Sequence, residues 1–239
     1  MFEWHGIFSL KKRYIIFDFD GTLANTNNII IASWKATFER YLGYTLPVRE
    51  IEATFGEILV NTIGRLMPDA PVNEVVDFYR AYQDSHQQDY EVYVFEGVRE
   101  TLAQLRMRGC IIGVGTSRTA FSFWNYMKKL GMEQLVDEVV TMNDVTSHKP
   151  DPETIDAVLI KMMASAGETY DPASGIPDRV RDAALMVGDT KYDIGCANNA
   201  GVDSVMVGWS HYVDEEAMLA DGFVPTYHID KPEQLLELI

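Results

Sequence analysis

Residues 14–23 read YIIFDFDGTL, and the fold depends on what that stretch is. Tyr14 to Phe17 form a continuous apolar run without helical periodicity, the pattern of a parallel strand buried on both faces. The run delivers two carboxylates, Asp18 and Asp20, at its C-terminal end. Side chains two apart on a strand point the same way, so both acids face one crevice. Gly21 follows, where the chain must turn sharply and a backbone can approach a ligand. Two carboxylates held this close repel each other unless a cation or a shared proton lies between them. Aspartates also cap the turns after strands without doing any chemistry. The rest of the chain has to decide.

A chain of 239 residues is long enough for one large domain, or for one domain with a sizeable insertion. Apolar residues make up 47%, enough for a substantial core, and neither repeats nor low-complexity segments interrupt it. The apolar runs are too short to cross a bilayer, so no membrane partner is expected. Residues 1–10 are mildly apolar, but the basic cluster Lys11-Lys12-Arg13 follows them, the reverse of a secretory signal, which implies a cytoplasmic protein. Cys110 and Cys196 are isolated thiols and imply neither a metal knuckle nor a disulfide framework. A formal net charge of −16 argues against nucleic acid as a partner. It also means that any site for a phosphorylated substrate has to be locally positive, by a metal ion or a few placed bases.

Beyond Leu23 the pattern turns helical. Asn27-Asn28 can cap a helix that carries Ile31, Trp34, Phe38 and Leu42 at three- and four-residue spacing and ends at Gly43. Pro47 suits the first turn of a second helix, and Met67-Pro68 closes the one after it. A long helix is expected over 72–89. Residues 25–94 thus read as a small helical bundle inserted after the first strand. From Phe95 strands and helices alternate: helix 98–108, strand 111–115, helix 121–130, strand 135–142, helix 152–164, strand 184–187, helix 191–200 and strand 204–207. That alternation implies an α/β fold, a Rossmann-like parallel sheet covered on both faces, with residues 1–24 and 95–239 as its core. Residues 167–182 carry Asp, Pro, Ser and Gly in turn-like clusters and are expected to be a surface loop.

Ligands of such sheets bind outside the carboxyl ends of the strands. The first strand offers Asp18 and Asp20 there; the second ends in Thr116-Ser117-Arg118. Beyond the third lies His148-Lys149-Pro150-Asp151-Pro152, and the fourth ends in Gly188-Asp189-Thr190, with Asp193 one helical turn after Asp189. Singly, each has a plain structural reading: Thr116 and Ser117 can cap a helix, Lys149 can be a surface lysine, Asp189 can be an N-cap. Together they bring carboxylates, hydroxyls and an ammonium to one edge of the sheet.

DFDGTL at 18–23, the Thr116-Ser117 pair, KPDP at 149–152 and GDTKYD at 188–193 resemble the four motifs of the haloacid dehalogenase-like hydrolase superfamily. Helices 25–94 resemble that superfamily's type 1 cap, in the branch holding phosphoglycolate phosphatases and a bacterial inorganic pyrophosphatase. The resemblance implies Mg²⁺-dependent phosphoryl transfer from a small phosphorylated metabolite through an aspartyl-phosphate. In that scheme Asp18 is the nucleophile and Asp20 the acid and base. Thr116 and Lys149 bind the phosphoryl oxygens, flanked by Ser117 and Arg118. Asp18, the backbone carbonyl of Asp20, Asp189 and Asp193 face the metal. In the cap, Arg80 and His86 are the candidate substrate contacts, along with Arg65 and the Phe55-Gly56 turn. Asn25 departs from the pattern, which often has Asp there, while Thr26 fits it. A phosphosugar mutase needs the same catalytic set, a dehalogenase has no need of the metal pair or of Asp20, and a receiver-type signalling module lacks the DxD strand and the large insertion.

Overall fold

The computed structural model describes residues 10–210 and 215–239; apart from Leu10, the segment 1–10 lies outside them. Strand β1 (Tyr14–Phe17) is followed by a short β2 (Ala24–Asn25) and four helices, α1 (Asn27–Leu42), α2 (Val48–Glu52), α3 (Leu59–Leu66) and α4 (Val72–Ser85). The chain returns through β3 (Tyr93–Val94) and alternates: α5 (Val98–Met107), β4 (Ile111–Gly115), α6 (Ala120–Leu130), β5 (Glu138–Val140), α7 (Glu153–Ser165), α8 (Asp178–Asp182), β6 (Ala184–Gly188), α9 (Lys191–Ala200), β7 (Asp203–Val207), α10 (Glu215–Ala220) and β8 (Tyr227–Ile229). Among the described residues the main sheet has the order β5-β4-β1-β6-β7-β8, all parallel. The strand order reverses at β1, which makes the crevice above β1 the switch point where ligands of such sheets bind.

The period of two in β1 explains the layers. Ile15 and Phe17 pack with Leu102 and Leu105 of α5 and Phe123 of α6. Tyr14 and Ile16 face the other way, onto Val158 and Met162 of α7 and Ala197 of α9. All four strand residues are buried, and burying such side chains contributes about 1.5–3 kcal/mol each. Helices α1–α4 have a separate apolar centre of Trp34, Phe38, Ile51, Ile63, Val75 and Tyr79. There the Trp34 ring lies 5.2 Å from Phe38 and 4.9 Å from Tyr79.

Several boundaries differ from the sequence expectation, each for a local reason. Helix α4 stops at Ser85 rather than at Asp89, because after Tyr82 the chain reads QDSHQQD and has no apolar residue to bury. Strand β5 is cut to three residues. Glu133–Leu135 form a 3₁₀ turn before it, and Asp144 Oδ2 takes the backbone N–H (2.8 Å) and hydroxyl (2.7 Å) of Thr141 after it. The segment 167–182 is not simply a surface loop: Ile176 and Val180 are buried against α7 and α9, and α8 forms behind Pro177. At the start of α1 the N-cap position falls on Thr26, and Asn25 Oδ1 accepts the Asn27 N–H at 3.1 Å. Strand β8 and helix α10 went unread.

Gly113 in β4 lets α7 lie close to the sheet, since a Cβ there would come within 2.5 Å of Val158 Cγ1 and 2.8 Å of Met162 Sδ. Gly113→Val should therefore cost about 1–3 kcal/mol by overpacking, read as a lower urea midpoint with an unchanged slope. An unshifted midpoint would mean that α7 can lift away freely.

Candidate active site

Four segments distant in sequence meet above the ends of β1, β4 and β6. Asp18 leaves β1, Asp189 leaves β6, and Asp193 lies one turn into α9. Oxygen atoms of the three carboxylates lie within 4.8 Å of one another, and all three residues are buried. Lys149 comes from the loop before α7 and is 3% exposed. Its ammonium donates to Asp18 Oδ1 at 2.7 Å and to Asp193 Oδ1 at 2.6 Å. Burial works against the Lys149 charge, but Asp18 and Asp193 more than offset it and raise its pKa. Asp18 is pushed up to about 7, first by burial and then by the neighbouring carboxylates, against the pull of Lys149. Asp189 is held well above the carboxylate range by burial and by the charges of Asp193 and Asp18.

The remaining contacts fix these groups in place. Asp189 accepts from Ser210 Oγ at 2.6 Å and from Thr22 Oγ1 at 3.2 Å. Asp193 Oδ2 accepts from the Thr190 N–H at 3.1 Å and its hydroxyl at 2.7 Å, closing a capping box at the start of α9. Gly21 has φ +77°, and a Cβ there would fall 2.0 Å from Asp189 Oδ2, so both the turn and the close approach require glycine. Glu153 in the first turn of α7 accepts from the backbone N–H groups of Thr146 (2.9 Å) and Ser147 (2.6 Å), which staples the loop that presents Lys149. Those bonds hold the Glu153 carboxyl down to about 2.

Asp20 lines the same cavity but is drawn away from the cluster. Its carboxylate takes Nε and Nη2 of Arg118 at 2.7–2.9 Å, and Thr26 Oγ1 donates to its Oδ1. Arg118, expected among the substrate contacts, thus directs its guanidinium at Asp20. Ser117 lines the cavity, whereas Thr116 is buried and off its wall, with its oxygen accepting the Arg118 N–H at 3.2 Å.

The cavity, of about 200 Å³, is closed on the far side by α1, α4 and the 54–60 turn. Arg80 of α4 lies on its wall and donates to Met142 Sδ at 3.5 Å. Among the described residues no carboxylate pairs with it. His86, expected beside it, is not on the wall: its ring stacks 4.0 Å from Tyr82, and Nδ1 meets the Tyr82 carbonyl at 2.9 Å. Arg65 is also off the wall, paired with Glu57 at 2.5 Å. The Phe55-Gly56 turn does line the cavity. A Cβ on Gly56, at φ +78°, would reach within 2.7 Å of Thr190 Oγ1, so the helical segment touches α9 there.

Sequence reading missed Ser210, Glu153 and the Arg118–Asp20 pairing. Ser210 lies three residues beyond the end of β7, within reach of the same strand-end rule that points to Asp189. A pairing across 98 residues has no local signal.

The donor set suits a divalent cation held by oxygen. With the three carboxylates ionised and Lys149 protonated, the cluster carries a net charge of −2, while Asp20 and Arg118 cancel each other. No helix among the described residues is long and apolar enough to cross a membrane. Fold and crevice together define an α/β protein with a buried acidic cluster at the carboxyl end of its central strands. The family model described as haloacid dehalogenase-like hydrolase matches residues 15–207, and the chain belongs to that family. It is 31% identical over 230 residues to pyrophosphatase PpaX of Bacillus mycoides, covering 96% of this chain and 98% of that protein. Against pyrophosphatase PpaX of Bacillus pumilus it is 31% identical over 225 residues, covering 94% and 95%. In fold it is similar to a predicted phosphoglycolate phosphatase from Haemophilus somnus (TM-score 0.74, 19% identity, 95% and 98% covered). It is equally similar to CbbY from Rhodobacter sphaeroides in complex with phosphate (TM-score 0.74, 16% identity, 94% and 96% covered).

A cation bound at this cluster stabilises the folded chain by mass action. Millimolar MgCl₂ should raise the melting temperature of the wild type, and chelator should reverse the rise. Asp189→Asn should abolish the shift, whereas a full shift in that variant would move the cation elsewhere.

Proposed function

We propose that this hydrolase is a Mg²⁺-dependent phosphatase, acting on a small phosphorylated metabolite of phosphoglycolate size through an aspartyl-phosphate on Asp18. The supporting observation is the convergence of Asp18, Asp189, Asp193 and Lys149 in one buried cluster at the switch point of the sheet. Asp18, Asp189 and Asp193, with the backbone carbonyl of Asp20, would hold the ion. When bound, Mg²⁺ offsets negative charge on the phosphoryl oxygens and on the carboxylates around them.

The chain's own groups do the rest. An Asp18 carboxylate oxygen attacks phosphorus as the bond to the leaving oxygen breaks, and Asp20 gives that oxygen its proton. Water then attacks the phosphorus, Asp20 takes up the water's proton, and the bond to Asp18 breaks to release phosphate. Lys149 has three N–H donors, and Asp18 and Asp193 use two, leaving one for a phosphoryl oxygen. Ser117 supplies a hydroxyl group on the cavity wall beyond the end of β4. Residues 25–94 act as a cap: they meet the leaving group, leave room only for a small one, and exclude bulk water.

Arg80, a cation on the cavity wall that has no carboxylate partner among the described residues, favours a leaving group that is itself anionic. That condition is met by a phosphorylated carboxylic acid. It is met as well by pyrophosphate, the second reading, which the names of the relatives favour. A phosphosugar mutase would transfer the phosphoryl group to a second hydroxyl rather than to water.

Phosphate release from 4-nitrophenyl phosphate should vanish in excess chelator, return with Mg²⁺, and be absent in Asp18→Asn. Full activity in chelator would remove the metal from the scheme. Comparison of kcat/KM for phosphoglycolate and pyrophosphate decides between the two readings. Arg80→Ala should raise KM for the preferred anionic substrate about ten- to a hundredfold, the loss of one charge-assisted contact, and leave 4-nitrophenyl phosphate unaffected. An equal effect on both substrates would place Arg80 outside substrate recognition.

A further inference from the structure

We propose that Arg118 is a positioning residue, which acts through Asp20 and fixes the orientation of that carboxylate at the cavity wall. The inference rests on the reading of Asp20 as proton donor and acceptor. Arg118 is only 8% exposed. One edge of its guanidinium grips Asp20, with Nε at 2.9 Å from Oδ1 and 2.7 Å from Oδ2, and Nη2 at 2.7 Å from Oδ1. Nη1 donates to Ser122 Oγ at 2.8 Å. The guanidinium carbon lies 4.5 Å from the centre of the Tyr126 ring and 5.8 Å from that of Phe19. A cation held at its edges by Asp20 and Ser122, and packed against two rings, is built to hold a carboxylate rather than to open toward a substrate.

The clamp is asymmetric. Oδ1 of Asp20 accepts from Nε, Nη2 and the hydroxyl of Thr26, whereas Oδ2 accepts from Nε alone. A carboxylate oxygen offers about two acceptor positions, so Oδ1 is filled and Oδ2 keeps one. Oδ2 therefore keeps the acceptor position through which Asp20 can meet the leaving group and the water. The terminal torsion of an aspartate is broad and roughly two-fold, and without the guanidinium nothing but Thr26 would distinguish the two oxygens. Misplacing a reacting group by about an ångström costs on the order of a hundredfold in rate.

The test is a double-mutant cycle on kcat and KM in the Mg²⁺-loaded enzyme, using 2-phosphoglycolate as an alkyl ester and 4-nitrophenyl phosphate as an ester with a good leaving group. Arg118→Met should lower kcat for the alkyl ester about ten- to a hundredfold, with KM changed less than about twofold. The loss should be smaller for 4-nitrophenyl phosphate, whose departure needs less protonation. In the Asp20→Asn background the same substitution should cost no more than about twofold, because its effect passes through the missing acid. Arg118→Lys, which restores a charge and a donor, should recover part of the activity; if the Met variant does not fold, the Lys variant carries the same comparison in both backgrounds. A raised KM with kcat intact would overturn the inference and make Arg118 a substrate contact, and equal losses in the two backgrounds would overturn it as well. Wild-type activity in Asp20→Asn alone would instead remove the reading on which it rests.

Discussion

Lys149 sits between Asp18 and Asp193, and most of the site is arranged around that contact. An ammonium and three carboxylates under the surface are costly to hold unless geometry and further hydrogen bonds compensate. The structure supplies both. Thr190 occupies the other oxygen of Asp193, Ser210 and Thr22 occupy Asp189, and Glu153 fastens the loop from which Lys149 projects. Gly21 and Gly188 leave the space that Asp189 and Asp193 fill: a Cβ at Gly188 would lie 2.3 Å from the Cβ of Asp193. Beneath them the four buried residues of β1, packed from both faces, set the height at which Asp18 emerges.

The cavity is divided electrically. On the sheet side lies the acidic cluster, three carboxyl groups around one ammonium; on the side of α6 a single carboxylate, Asp20, is paired with Arg118. Above both, the helical segment contributes Arg80 and the 54–60 turn. The two aspartates of one strand end are thus sorted into different environments two residues apart. Asp18 is bound by an ammonium and faces the other carboxylates. Asp20 is bound by a guanidinium and faces the helices. That separation is what the proposed mechanism requires of one acid that attacks and another that carries a proton.

The sequence made the sheet legible because its strands are buried on both faces and leave unbroken apolar runs. Strand-end reasoning points to Asp18, Asp20, Asp189 and Asp193, which lie within a few residues of such a run, whereas Lys149 stands nine residues beyond the end of β5, in the loop before α7. Where local pattern was weak, the reading was weak. Val180 is a lone apolar residue in a polar stretch, so the burial of 167–182 was invisible, and β8 has only three residues. The expectation for Arg118 rested on proximity to a strand end, which locates a residue but does not say whether its charge meets a ligand or another side chain. His86 failed to reach the cavity wall for a related reason: α4 ends before it, and its ring turns back on Tyr82.

The two places where the chain passes between sheet and helices lie side by side. Ala24 pairs with Val94, Asn25 pairs with Tyr93, and the Asn25 amide donates to the Tyr93 hydroxyl at 3.0 Å. A two-residue turn is enough to join antiparallel neighbours of this kind. Everything between them is therefore, topologically, a single excursion from one point on the rim of the sheet. Descendants of such a chain can lengthen, trade or delete that excursion without re-registering a strand. Asp18, Lys149, Asp189 and Asp193 all lie outside that excursion, so the acidic cluster is assembled by the rest of the chain alone.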